Sequence, residues 1–297
     1  MSTTIVVAGG TGDLGGRIIH ALRSKGANVR ALVRASTDSA KLDTLKQQGV
    51  DVIQVDMTDI AELTQACTGA SCVVSALQGL RDVIVDAQSS LLDAAVAAGV
   101  PHFVPSDFSS DFTKLTPGDN RNFDLRREFN TYLDTQKTIA GTSILNGAFA
   151  ELLTYNIPFL DFKKKSVGYW ESADWRVDFT TMDNTAAFTA AAAMDPSAPR
   201  ILRIASFQIN ANELKAVAEE TMKEPFTLVR LGSRDDLAAY NKRERAAHPE
   251  GEQEVYPNWQ RSQYIQSMFS VQNEPLDNGR YPDIQWTSVQ EVLAKRR

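Results

Sequence analysis

Ile5-Val6-Val7-Ala8-Gly9-Gly10-Thr11-Gly12-Asp13-Leu14-Gly15 is the stretch whose reading decides the fold. Its run of branched apolar residues reads as a strand buried on both faces, and Leu14 to Lys25 repeats its apolar positions at helical spacing. Between them, Gly9, Gly12 and Gly15 stand three apart, while Gly10, Gly12 and Gly15 keep the G-x-G-x-x-G spacing. A turn of this kind between strand and helix serves a pyrophosphate. The first glycines permit the tight turn, the middle one lets backbone approach the phosphates, and the last lets the helix pack on the strand. The free N–H groups of the first helical turn then face the anion. Gly9, Thr11, Gly12, Asp13, Leu14 and Gly15 are therefore the expected dinucleotide-binding residues, with the Asp13 side chain turned outward from the phosphate.

Outward from this turn, apolar strand-like runs alternate with amphipathic segments from residue 3 to about residue 148, the pattern of parallel strands joined by helical crossovers. Strands are predicted at Thr4–Ala8, Val29–Val33, Val52–Val55, Cys72–Ala76, His102–Pro105 and Ser143–Asn146. Helices are predicted at Leu14–Lys25, Ala40–Gln48, Ile60–Cys67, Val83–Ala98 and Phe123–Lys137. Gly26, Gly49, Gly69 and Gly99 stand where the first four helices should end in a left-handed cap. Beyond Leu153 the alternation breaks into short strands, aromatic stretches and an alanine-rich helix near 184–193. The expected architecture is an α/β, Rossmann-type doubly wound parallel sheet over 1–153, with a smaller α+β substrate-binding region over 154–297 packed closely on it.

Composition narrows the partners. Of 297 residues, 43% are hydrophobic and 23% charged, which is ordinary for a globular chain with a full α/β core. A formal net charge of -6 repels phosphate polymers and anionic lipid, so neither nucleic acid nor a membrane is expected as a partner. Cys67 and Cys72 have no further cysteine or clustered histidine near them, and His20, His102 and His248 share no metal spacing, so no disulfide framework and no metal site is expected. The chain enters its first strand without a basic leader or cleavable apolar segment, which predicts a cytoplasmic location.

At the end of the second strand, where a carboxylate would hold the adenosine ribose hydroxyls, stands Val33-Arg34. A guanidinium pairs with a 2′-phosphate, which a carboxylate would repel, so Arg34 predicts NADP(H) as the cofactor. Asp56, after the third strand, is expected beside adenine, and Ser75-Ala76-Leu77-Gln78, after the fourth, beside the middle of the cofactor. Both lie at carboxyl ends of strands, the ligand side of such a sheet.

These residues resemble the NmrA-like and isoflavone-reductase-like group of atypical short-chain dehydrogenases. The resemblance covers most of the chain. It rests on Ala8–Gly15, on Arg34, on Phe103-Val104-Pro105-Ser106-Asp107-Phe108, on Thr142-Ser143-Ile144-Leu145-Asn146-Gly147-Ala148-Phe149, and on Asp183 leading the alanine-rich helix. It implies that Ser106, Phe108, Gly147 and Phe149 lie near the nicotinamide and that a small-molecule substrate binds against the C-terminal part.

The chain departs from its relatives in the catalytic residues. Tyr132 and Lys137 are five apart, not the four that lets a lysine act on a tyrosine from the same helix face. The isoflavone-reductase group implies instead Phe-x-x-Lys on the helix after the fifth strand; here Phe123-Asp124-Leu125-Arg126 stands in that place, and an ungapped count back from Thr142 selects Arg127. Arginine keeps its proton, so Arg126 is expected to stabilise an oxyanion or hold the cofactor, with Asp107, Tyr169, water or a substrate hydroxyl handling the proton. Trp170, Trp175 and Trp259 are candidates for a substrate pocket, whereas Tyr264, Ile265, Met268 and Phe269 follow core spacing. The function expected first is an NADPH-dependent reductase of a small aromatic or conjugated carbonyl or ether compound. The alternatives are a non-catalytic NADP(H)-sensing regulator with a protein partner, and an isomerase or lyase with bound cofactor.

Overall fold

The computed structural model describes residues 3–296. The alternating part forms β1 (Thr4–Ala8), α1 (Asp13–Ser24), β2 (Asn28–Val33), α2 (Ser39–Gln47), β3 (Asp51–Gln54), α3 (Ile60–Cys67), β4 (Cys72–Ser75), α4 (Gln88–Ala97), β5 (His102–Val104), α5 (Arg121–Leu133) and β6 (Ala140–Gly141). The six strands pair in parallel in the order β3-β2-β1-β4-β5-β6. β1 lies between β2 and β4, with Ile5 opposite Val29 on one side and Cys72 on the other. Connections leave β1 and β4 in opposite directions along the sheet, which opens a crevice beyond their carboxyl ends. This is the predicted Rossmann-type α/β sheet.

Local chemistry explains most of the boundaries. Asp38 and Asp59 cap α2 and α3 by accepting backbone N–H groups. Gly26, Gly49, Gly69 and Gly99 all take positive φ just past α1 to α4, as the capping pattern predicted. Ile5, Val6, Val7 and Val73 have no exposure, whereas β3, at the sheet edge, is only half-buried. Phe103 meets Phe129 at a ring-centroid distance of 6.0 Å and so ties α5 to the sheet.

Three boundaries differ from the sequence reading. The sixth sheet strand is Ala140–Gly141, beside β5, and the β-rich run Ser143–Leu145 forms a separate strand, β7. The helix expected at Val83–Ala98 opens with a π-helical turn over Asp82–Ala87 before α4 begins. The helix expected to reach Lys137 stops at Leu133 and starts two residues earlier, at Arg121.

The remaining elements are β8 (Ala148–Phe149), β9 (Ser166–Trp170), β10 (Val177–Thr180), α6 (Met182–Ala193), β11 (Ile201–Arg203), β12 (Phe207–Ile209), α7 (Ala211–Met222), β13 (Thr227–Gly232), α8 (Arg234–Ala247), α9 (Asn258–Met268) and α10 (Val289–Ala294). They form a β12-β10-β8 sheet and the pairs β11-β7 and β13-β9. The chain divides into two compact units, each discontinuous in sequence. The first comprises the residues up to Asp107 with Leu125–Ile144 and Thr185–Leu202; the second comprises Phe108–Asp124, Leu145–Asn184 and the residues from Arg203 onward. A single cut at 153/154 thus simplifies a path that changes unit several times. Each unit has its own apolar core, one around Val6, Leu63, Phe103 and Phe129, the other around Phe159, Phe179, Leu214 and Phe269.

Candidate nucleotide site

The β1–α1 turn is built around contacts that only glycine allows. Gly9 has a φ of +83°, and a Cβ there would stand 2.5 Å from the Ala76 carbonyl oxygen. A Cβ on Gly15 would collide with the Gly9 carbonyl, which accepts the Gly12 N–H at 3.0 Å. The turn is therefore pressed against the loop after β4, and two predicted site segments, Gly9–Gly15 and Ser75–Gln78, meet. Gly12 is the N-cap of α1 and offers no side-chain cap, so the first-turn N–H groups face outward from a twelve-residue helix. Asp13 points away as expected, its carboxylate 63% exposed and paired with Arg17 at 2.7 Å. Thr11 and Leu14 are half-buried beside it.

Arg34 stands exposed just beyond β2, and its carbonyl accepts the Thr37 N–H at 2.9 Å. Asp56 lies past β3, where one carboxylate oxygen accepts both the backbone N–H and the hydroxyl of Thr58. Those bonds hold its pKa below the ordinary carboxylate value. Ser75 closes β4 with no exposure, and its Oγ has no hydrogen-bond partner among the described residues.

The turn after β5 is tied to two other segments of the same unit. Ser106 Oγ donates to the Leu77 carbonyl at 2.7 Å, and the Ser106 carbonyl accepts from Arg126 Nε at 3.1 Å. Leu77, Ser106 and Arg126, predicted separately, are thereby brought together. Arg127, the competing position, sits on the next residue of α5, where its carbonyl accepts the Thr131 hydroxyl.

Asp107 is fully buried, and one of its oxygens accepts from Asn130 Nδ2 at 2.7 Å and from Ser143 Oγ at 2.6 Å. Arg200 closes the ring by donating to Ser143 Oγ at 2.6 Å and to Asn130 Oδ1. Burial pushes the Asp107 pKa up, against the pull of Ser143, Asn130, Arg126 and Arg200. This arrangement joins the post-β5 turn, α5 and β7, and suits a group that fixes geometry. Tyr132 donates to Asp93 at 2.6 Å and Lys137 to the Asp134 carbonyl, so they form no tyrosine–lysine pair.

In the second unit, Phe108 is buried, Phe149 is half-buried in β8, and Gly147 has a φ of +66° with its N–H donating to the Ser109 carbonyl at 3.0 Å. A Cβ on Gly147 would stand 2.5 Å from the Asp178 carbonyl oxygen. The preceding Asn146 has no exposure, and neither polar atom of its side chain has a hydrogen-bond partner among the described residues. Sequence reasoning passed over Asn146; its signal is an amide directly before a glycine held at positive φ. Tyr169 packs at the edge of this unit's core. The three tryptophans considered for a pocket pack on the protein's own core. Trp170 packs on Phe269 with centroids 5.2 Å apart, Trp175 donates to the Met268 carbonyl, and Trp259 lies under the guanidinium groups of Arg121 and Arg245. Met268 and Phe269 are core residues, as their spacing predicted.

Among the described residues no group of three or more histidines, cysteines or acids could hold a metal ion, and no helix is long and apolar enough to cross a membrane. The chain is similar to pinoresinol reductase 2 of Arabidopsis thaliana, with 28% identity over 208 residues, 65% of each chain. It is 42% identical over 113 residues, 36% of each chain, to the isoflavone reductase homolog IRL of Zea mays. These two matches thus span less than two thirds of the relatives' lengths. The fold is shared with AtPrR2, solved with NADP+ and (+)pinoresinol, at a TM-score of 0.79 and 23% identity, covering 100% of this chain and 99% of that one. The model of the NmrA-like family matches residues 1–224, and with the Rossmann-type sheet and its glycine turn this places the chain in the NmrA-like family.

Proposed function

We propose that this chain is an NADP(H)-dependent reductase of a small aromatic or conjugated carbonyl or ether compound. The observation that carries the reading is the β1–α1 turn, where Gly9 and Gly15 let backbone segments pack too closely for any Cβ, at the uncapped N-terminus of α1. The Ser75 hydroxyl at the end of β4, without a hydrogen-bond partner among the described residues, stands next to Ala76, which the Gly9 turn touches. Arg34 supplies the cation for a 2′-phosphate, and a related protein fold has been solved with NADP+. Names of the relatives point to reduction of aromatic compounds.

A bound nicotinamide supplies the hydride in such a reaction. The chain supplies position and charge. Arg126, anchored through Nε to the Ser106 carbonyl, holds a permanent positive charge at the carboxyl edge of the sheet. That charge stabilises an oxyanion developing on the substrate, while water or a substrate hydroxyl furnishes the proton. Asp107, closed inside its ring with Asn130 and Ser143, holds α5 in place.

Titration of both cofactors tests the specificity. Wild type should bind NADPH at least about tenfold tighter than NADH, and Arg34→Asp should erase the preference. Equal affinity of the wild type for the two overturns the cofactor assignment. Reduction is tested by NADPH consumption over enones, quinones, aldehydes and benzylic ethers. Arg126→Ala should cost about 100-fold in kcat, the scale of a lost oxyanion stabiliser, and Arg127→Ala should cost little. The missing tyrosine–lysine pair favours the regulatory reading if no class is turned over while a protein partner binds in a cofactor-dependent way.

A further inference from the structure

The π-helical turn before α4 has a consequence for the site. Ahead of a regular helix, the Gln88 backbone N–H would donate to the Ile84 carbonyl four residues back. In this chain it donates to the Val83 and Val85 carbonyls and passes over Ile84. The Ile84 carbonyl takes the Gln88 side chain instead, with Nε2 donating at 2.9 Å. That bond fixes which way the amide faces, and Oε1 accepts the Ser106 N–H at 2.9 Å. Gln88 has no exposure, so both bonds are shielded from water. The next atom group along the chain, the Ser106 carbonyl, is the acceptor for Arg126 Nε.

We propose that Gln88 is the positioning residue for Arg126: the π-turn aims its carboxamide at the post-β5 turn, and that turn fixes the guanidinium. The functional consequence rests on the reading that Arg126 faces the reacting group. Other contacts agree with a loop built for this purpose. Gly79 packs where a Cβ would stand 2.5 Å from the Val83 side chain, so the post-β4 loop folds tightly onto the π-turn. Arg81, just before it, pairs through both terminal nitrogens with the Glu128 carboxylate on α5. That pair is exposed and salt-screened, whereas the Gln88 bonds are buried and directional, so the amide is the stronger constraint. Both a donor and a strong acceptor are needed at this reach, which glutamine supplies; asparagine is one methylene short, and methionine has no donor and only a weak sulfur acceptor.

The test uses the full chain labelled with nitrogen-15 arginine, the Arg126 Nε–H signal being assigned by its loss in Arg126→Lys. In Gln88→Met that N–H should exchange with water at least about tenfold faster, because its acceptor is no longer fixed. NADP+ affinity should stay within about threefold, since the β1–α1 turn is untouched. Turnover should fall about tenfold or more in kcat with little change in KM, and Arg126→Ala should cost little further in the Gln88→Met background. Unchanged exchange, or losses that multiply in the double variant, overturns the proposal. Gln88→Asn gives the same readouts if the methionine variant does not fold, and exchange as slow as wild type in it is equally decisive. Exchange needs no substrate, so absence of reductase activity overturns the proposed function and leaves this inference to stand or fall on the arginine signal.

Discussion

At Asp107 a carboxyl group is carried out of water and held by one amide and one hydroxyl. Desolvation is the largest influence on it and raises its pKa above the ordinary value of 3.8, which the unfolded chain retains. Between those two values the folded protein holds a proton that the unfolded chain has released. The stabilisation tied to that proton is complete below the unfolded value and is lost as pH rises through the folded one. Asp107→Asn keeps an acceptor for Asn130 and Ser143 without an ionisable group. Urea denaturation across pH 4 to 8 should therefore show a flatter fall in stability toward high pH for this variant than for wild type. Equal slopes would place the titration elsewhere. From the sequence, Asp107 is legible as an acid at the ligand edge of the sheet, but its burial and partners are not, because Asn130 and Ser143 lie 23 and 36 residues away.

Among the elements, the turn between β1 and α1 was readable because its constraints are local. Positive φ and close approach select glycine whatever the rest of the chain does. Gly15→Ala should collide with the Gly9 carbonyl and lower NADP(H) affinity by about tenfold or more, with far-UV circular dichroism unchanged. Cofactor affinity equal to wild type would remove the turn from the binding site. The π-turn of Asp82–Ala87 was not readable, since its apolar residues Ile84 and Val85 continue the pattern of α4 without a break. The sixth strand was displaced for a related reason. Ser143–Leu145 has the composition of a buried strand, yet the place beside β5 is taken by Ala140–Gly141, where the small Gly141 fits against Leu133 of α5. Strand composition reports burial, whereas pairing is set by what else packs at the sheet edge.

For the molecule as a whole, two apolar cores divide the stabilising burial. In the second unit Phe159 stacks on Phe179 and meets Phe269 edge-on, with centroids 5.8 and 5.6 Å apart. Phe159→Ala should cost about 3–5 kcal/mol, measured by urea unfolding. A loss below about 1 kcal/mol would show that this cluster collapses around the gap. Cofactor binding acts on the whole chain by mass action, so NADP+ at 100 times its Kd should stabilise the folded state by about 2.7 kcal/mol and raise the melting temperature. NAD+ at the same concentration should raise it less.

The Rossmann-type sheet, its glycine turn and the cation that follows β2 were determined by the sequence itself, because helical period, strand composition and glycine geometry act within a few residues. Tertiary structure alone decided which distant side chains meet. Arg126 meets Ser106 across 20 residues, and Gln88 meets Ser106 across 18. It also decided that Trp170, Trp175 and Trp259 cover core and that the buried Asn146 side-chain amide has no hydrogen-bond partner among the described residues. The physical reason is that a buried hydrogen bond is chosen by packing among distant segments, and no spacing along the chain records it.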